Sequence, residues 1–272
     1  MTAQPYAEVI GDPIDHSLSP VIHRFWLERL GIDADYRRQK VTRAGLADYL
    51  DARRGDLQWL GCNVTMPLKL DALSLADEAG DRALGANAAN ILIQRKGRLF
   101  AGNSDVGGMA TLFDRLRSSG APMGAITILG NGGGARGALM ALHMLGLANV
   151  RIQSRDLVSG LKLAVEFGLE LAPHGLDYPI ETAGLINATP LGMTGMPPLV
   201  VDWEGMSSGG WVFDLVTAPV ETELLKVARE RGMTVVTGIE MLVEQAAESF
   251  EIFFDAKAPR DADAELMARL HQ

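Results

Sequence analysis

The stretch Ala125-Ile126-Thr127-Ile128-Leu129-Gly130-Asn131-Gly132-Gly133-Gly134-Ala135-Arg136-Gly137 decides the fold. Its first five residues are a short, largely apolar and β-branched run, the composition of a strand buried on both faces of a parallel sheet. The run then breaks into glycine. Glycine at 130, 132 and 133 removes the Cβ atoms that would keep the backbone away from a pyrophosphate, and Gly134 continues the loop. An apolar helix is predicted to follow over Ala138 to Leu145, stopped by Gly146, with its N-terminal N–H groups facing the anion. G-x-G-x-x-A is a weak pattern when found alone. Set between a strand and a helix, it reads as a dinucleotide-binding loop.

Downstream, a second strand is predicted over Val150 to Gln153 and ends at Ser154-Arg155-Asp156, where a Rossmann domain meets the adenosine ribose. Arg155 offers a planar cation suited to the 2′-phosphate of NADP. Asp156 would repel that phosphate or accept a ribose hydroxyl of NAD. The reading favours NADP and keeps NAD open. Further strands are expected at Gly184 to Asn187, Trp211 to Val216 and Met233 to Val236, with a helix over Val220 to Arg231 and a surface turn at Ser207-Ser208-Gly209-Gly210. Upstream, strands at Tyr6 to Ile10, Tyr36 to Val41 and Trp59 to Val64 alternate with helices at Val21 to Leu30 and Leu46 to Arg53. Pro67 is expected in the first turn of a third helix carrying Lys69. Two short strands, Ile91 to Gln94 and Arg98 to Ala101, precede a helix from about Gly107. Such alternation predicts an α/β chain of two domains: an N-terminal α/β domain and a doubly wound, Rossmann-like nucleotide-binding domain.

Composition narrows the partners. With 272 residues and 47% hydrophobic content the chain can bury one large core or two small ones, and its net charge of −9 disfavours nucleic acid and anionic membranes. A small molecule is the expected partner, with the protein a monomer or homodimer. The single cysteine, Cys62, reads as a packed thiol. No basic-apolar leader and no apolar run near 18 residues is evident, so a cytoplasmic location is expected. His16, His23, His143, His174 and His271 are scattered and form neither a Ser-His-Asp order nor a metal pair, so no metal site is expected.

Polar residues cluster where strands end. Ser17-Leu18-Ser19-Pro20, Asn63-Val64-Thr65 with Lys69, Asn90, Asn103-Ser104-Asp105, Asn187-Ala188-Thr189-Pro190, and Gly238 through Met241 to Gln245 occur in this order. Reducing a ketone requires a proton donor for the oxygen that turns negative as hydride arrives, and a fixed ammonium both donates and stabilises that charge. Read alone, a lysine on an early helical turn, such as Lys69, is a solvated surface charge. The collinear set, with the glycine loop, resembles the shikimate dehydrogenase family over nearly the whole chain.

The resemblance implies that Ser17, Ser19, Asn63, Thr65, Asn90, Ser104, Thr217 and Gln245 contact a small carboxylated ring. It implies that Lys69 and Asp105 are catalytic, and that Gly130, Gly132, Gly133, Gly134, Ser154, Arg155, Asp156, Thr189, Gly238 and Met241 hold the nicotinamide cofactor. It also implies a discontinuous substrate domain, residues 1–105 with 239–272, around a nucleotide domain at 106–238. The expected activity is NADP-dependent interconversion of 3-dehydroshikimate and shikimate in aromatic amino-acid biosynthesis. A quinate/shikimate or related cyclohexane-carboxylate dehydrogenase using NAD or NADP is the near alternative, and a catalytically silent nucleotide-binding regulator the distant one. His23 resembles the family's histidine after S-P, for which a packed, hydrogen-bonded role is expected. Four features depart from the family pattern: Ser104 for threonine, Ile91 for threonine, Thr217 for tyrosine, and Ser154-Arg155-Asp156 for N-R-T.

Overall fold

The computed structural model describes residues 4–207 and 209–271. The expected turn at 207–210 includes Ser208, which lies outside the described residues. The chain divides into two compact units, residues 1–107 with 243–272 and residues 108–242. The division points fall inside two helices, α5 (Ser104–Ser118) and α9 (Gly238–Phe254). The boundaries expected from sequence, after 105 and 238, lie slightly before these.

In the first unit, β1 (Tyr6–Gly11), β2 (Asp35–Lys40) and β3 (Trp59–Val64) are parallel, with α1 (Ser19–Leu30) and α2 (Leu46–Arg54) as crossovers. The chain continues through α3 (Lys69–Ser74), β4 (Glu78–Ala79) and α4 (Asp81–Ala86) into the antiparallel hairpin β5 (Ile91–Arg95) and β6 (Arg98–Gly102), giving the strand order β2-β1-β3-β5-β6-β4. Lys96 and Gly97 both have positive φ, as a two-residue hairpin turn requires. Both faces of β1 are buried. Tyr6 and Ile10 join a core with Leu46, Leu50 and Leu68, while Ala7 and Val9 join another with Tyr36, Ile91 and Phe253. Gly61 makes the second core fit: a Cβ there would stand 2.8 Å from the Phe253 ring and 2.6 Å from the Leu92 carbonyl oxygen.

Two expectations shift. Pro67 does not enter a helix, because Thr65 to Leu68 form a turn closed by Leu68 N–H on the Thr65 carbonyl, so α3 starts at Lys69. The helix expected from Gly107 begins three residues earlier, which brings Ser104 and Asp105 into its first turn. The C-terminal helix α10 (Asp263–Leu270) follows a short 3-10 turn and packs beside α1.

The second unit is an all-parallel sheet of β7 (Ile126–Leu129), β8 (Val150–Gln153), β9 (Gly184–Asn187), β10 (Trp211–Asp214) and β11 (Thr234–Val236), ordered β11-β10-β9-β7-β8. Its helices include α6 (Gly133–Met144), α7 (Leu157–Glu166) and α8 (Glu223–Glu230). His174 adds a single parallel bridge to Gln153, marking where a sixth strand would lie. This is the doubly wound order, and its switch point lies between β7 and β9.

Candidate active site

In the first unit the carboxyl end of β3 and the first turns of α3 and α5 bring polar side chains together. Lys69 Nζ donates to Asp105 Oδ2 at 2.5 Å, with the two side chains only 17% and 9% exposed. Asp105 is oriented from its other side, where Asn90 Nδ2 donates to Oδ1 at 2.8 Å. Asn90 is the hub of the cluster. Its Nδ2 also reaches Ser104 Oγ at 3.0 Å and Gln245 Oε1 at 3.5 Å, while its Oδ1 accepts from the Ser104 backbone N–H at 2.7 Å. Ser104 Oγ donates to Gln245 Oε1 at 3.3 Å. Main-chain bonds lock the frame: Val64 N–H donates to the Asn90 carbonyl and Ala89 N–H to the Lys69 carbonyl, each at 2.8 Å.

The structure thus gathers Lys69, Asn90, Ser104, Asp105 and Gln245 into one network, and Asn63 joins it through Nδ2 to the Asn90 carbonyl at 3.3 Å. Ser17 and Thr65 make no side-chain hydrogen bond to that network among the described residues, while Ser19 bonds the Tyr36 hydroxyl, which in turn bonds Asn63. Ser17 Oγ donates to Ser19 Oγ at 3.3 Å, and Ser19 is the first residue of α1, whose end carries no side-chain cap. Thr65 packs its methyl against Gly11, leaving no room for a Cβ there.

Tyr36 is the residue that sequence reasoning missed. It is fully buried on β2 and donates from its hydroxyl to Asn63 Oδ1 at 2.6 Å, which turns the Asn63 amide N–H groups toward Asn90. No motif carries it; its only trace in the sequence is an apolar-face position in a strand. His23 stacks on this ring at 3.9 Å with nearly parallel planes. It is packed as expected, yet neither ring nitrogen has a hydrogen-bond partner among the described residues, and burial pulls its pKa down to about 3. The expected hydrogen bond is absent; the neighbours of the imidazole include the rings of Trp26, Tyr36, Phe250 and Phe253.

In the second unit, Gly130 has φ +105, and a Cβ there would sit 3.0 Å from the Ala188 carbonyl oxygen. The turn between β7 and α6 therefore requires glycine. Gly132 is the N-cap of α6 and offers no side-chain acceptor, so the first N–H groups of the helix stay available to an anion. Gly133 and Gly134 form its first turn. Thr189 donates from both its N–H and Oγ1 to Asn187 Oδ1, and Asn187 Nδ2 donates to the buried Asp214 carboxylate at 2.9 Å.

At the end of β8, Ser154 is buried, Arg155 is exposed, and Asp156 caps α7. Asp156 Oδ1 accepts from the Val158 and Ser159 N–H groups and Oδ2 from Ser159 Oγ. The hydroxyl and backbone bonds of Ser159 lower the Asp156 pKa. The role read from sequence for Asp156, repelling the 2′-phosphate or accepting a ribose hydroxyl, competes with this cap. Gly238 opens α9 and lies against the Leu215 and Val216 backbone, next to half-buried Thr217, and Met241 is buried one turn on.

The fold and these two clusters define an NAD(P)-dependent oxidoreductase acting on a CH–OH group. The sequence pattern of the shikimate dehydrogenase substrate binding domain matches residues 9–92, and that of the shikimate 5′-dehydrogenase C-terminal domain matches residues 238–267. The shikimate dehydrogenase (NADP(+)) of Sphingopyxis alaskensis is 43% identical over 270 residues, covering 98% of this chain and 97% of that one. The shikimate 5-dehydrogenase of Thermus thermophilus, solved with NADP(H) and shikimate, superposes with a TM-score of 0.83 at 32% identity, covering 98% and 100% of the two chains. Quinate dehydrogenase from Corynebacterium glutamicum, solved with NAD, gives 0.83 at 28% identity and covers 98% and 99%. The chain belongs to the shikimate dehydrogenase family.

Proposed function

We propose that the protein is an NADP-dependent shikimate dehydrogenase, reversibly reducing 3-dehydroshikimate to shikimate. The carrying observation is the Lys69–Asp105 pair, nearly buried and held from both sides by α3, α5 and Asn90. A lone lysine on a first helical turn is ordinarily a solvated charge; one fixed on an oriented carboxylate is placed for proton transfer.

The glycine loop and the uncapped start of α6 fit a dinucleotide, with Gly130, Gly132, Gly133 and Gly134 admitting its pyrophosphate and Thr189, Gly238 and Met241 lining the other half. Bound there, the nicotinamide supplies or accepts the hydride. Lys69 gives a proton to the ring oxygen as the ketone is reduced and takes it back in the reverse direction. Asp105 holds the ammonium in place and bonds the same hydroxyl. Asn90, Ser104, Gln245, Asn63 and Thr65 position the ring hydroxyls, and Ser17 and Ser19 take its carboxylate. Because Asp156 is occupied as a helix cap, Arg155, exposed and without an acidic partner among the described residues, is left as the cation for the 2′-phosphate of NADP. Ser154 Oγ steadies that turn by donating to the Asp156 carbonyl at 2.9 Å.

Steady-state oxidation of shikimate with NADP tests the assignment. Lys69→Ala is expected to lower kcat by roughly 10²-fold or more with cofactor affinity nearly unchanged, since general-acid help is worth about 10²–10⁴. A Lys69→Ala protein with wild-type turnover would remove the lysine from the chemistry. Quinate dehydrogenase activity is the second reading, favoured by one observation: Thr217 stands where the family carries a tyrosine, a shorter side chain.

A further inference from the structure

Arg38 lies on β2, level with Val9 of β1 and two residues beyond Tyr36, so it shares the Tyr36 side of the sheet. From there its guanidinium reaches the loop that leaves β1 and carries Ser17 and Ser19. Nε and Nη2 donate to the Ser17 carbonyl oxygen at 2.9 and 2.6 Å. Of its five N–H donors, three remain unused by this contact.

Its charge is also unspent. Among the described residues of the first unit every other arginine pairs with a carboxylate, except Arg95, which lies over the Phe100 ring at 4.5 Å. Neighbouring Arg37 is tied to Asp35, and Lys40 to Asp12 at 3.1 Å. Asp15, on the same loop as Ser17, is exposed and makes no ion pair with Arg38. The first turn of α1 contains no acidic side chain and no side-chain cap. Two hydroxyls and an uncompensated guanidinium therefore converge on one loop.

We propose that Arg38 is the specificity-determining cation of this loop: it fixes the Ser17 backbone and supplies the positive charge that selects a carboxylated ring over a neutral one. This rests on the reading of Ser17 and Ser19 as carboxylate binders. Hydroxyls alone distinguish poorly between a carboxylate and an ester or amide, because each presents acceptor oxygens; a nearby cation adds attraction only for the anion. Arg38 is exposed, so solvent and salt screen it and the effect is moderate.

The test compares shikimate with its uncharged methyl ester in the wild type, Arg38→Gln and Arg38→Lys. Glutamine keeps an amide donor for the Ser17 carbonyl and loses the charge. Arg38→Gln is expected to raise KM for shikimate about 5- to 10-fold with kcat within about 2-fold, to lower the acid-to-ester ratio of kcat/KM by the same factor, and to flatten its dependence on salt. Arg38→Lys should keep most of the wild-type ratio. An unchanged acid-to-ester ratio in Arg38→Gln would overturn the proposal, and so would an equal loss on acid and ester, which would make Arg38 a brace of the loop only. A wild type that oxidises neither compound would overturn the functional reading beneath it, an outcome distinct from the first two.

Discussion

Lys69 shows how little a residue type says without its neighbours. In the sequence it is one lysine after a proline; in the structure its side chain is 17% exposed and its ammonium is locked to Asp105, which Asn90 orients. The resemblance singled out Lys69, Asp105, Asn90, Ser104 and Gln245; Lys69, Ser104 and Asp105 stand in first helical turns, whereas Gln245 lies midway along α9. Tyr36 was not legible, since a buried phenol bonding Asn63 across two strands leaves no local pattern. His23 was legible as packed but not as unpartnered. It yields a stability prediction. The folded-state pKa of about 3 lies below the unfolded value near 6.5, so between these values the unfolded chain binds the extra proton. Stability from this group is therefore full above about pH 6.5 and falls as pH drops, by about 1.4 kcal/mol per unit. From about pH 7 to about pH 5 the wild type should lose about 2 kcal/mol more than His23→Phe, which keeps a ring on Tyr36. Urea unfolding at the two pH values measures it; equal losses would show that His23 does not carry this dependence.

At the scale of elements, the strand-loop-helix unit of β7 and α6 was the clearest feature, because glycine spacing and an apolar run are local signals. The ends of elements were less clear. α3 starts after the Thr65–Leu68 turn, and α5 starts at Ser104, where a short polar run hides the helix that Asn103 Oδ1 anchors through the Val106 N–H. α7 was not foreseen, so the capping role of Asp156 was not either. Two predictions belong here. Gly130→Ala forces a side chain into φ +105 against the Ala188 carbonyl, and should destabilise the fold by about 1–3 kcal/mol and weaken NADP binding; a normal denaturation midpoint would show that the turn relaxes freely. Arg155→Ala should weaken NADP about 10-fold or more and leave NAD nearly unaffected, a charge-assisted contact being worth about 1.5–3 kcal/mol, as titration by cofactor fluorescence would show. Equal weakening of both cofactors would place Arg155 elsewhere than at the 2′-phosphate.

For the whole molecule, the Lys69–Asp105 network lies in the first unit and the glycine loop in the second, with the chain dividing inside α5 and α9. α9 itself is announced by a capping box, Thr237 with Glu240, whose carboxylate accepts from the Thr237 N–H at 2.9 Å while Thr237 Oγ1 accepts from the Glu240 N–H. Among the described residues no helix is long and apolar enough to cross a membrane. Ring identity was the least legible property in the sequence, since no motif carries it. The proposed substrate is nonetheless specific: an acidic ring without the extra hydroxyl of quinate, turned over with NADP in preference to NAD. The direct measurement is kcat/KM of the wild-type protein for shikimate and for quinate, each with NADP and with NAD. Shikimate with NADP should exceed every other pair, by about 10-fold or more over shikimate with NAD, as one charge-assisted phosphate contact implies. A higher value for quinate, or equal values for the two cofactors, would contradict it.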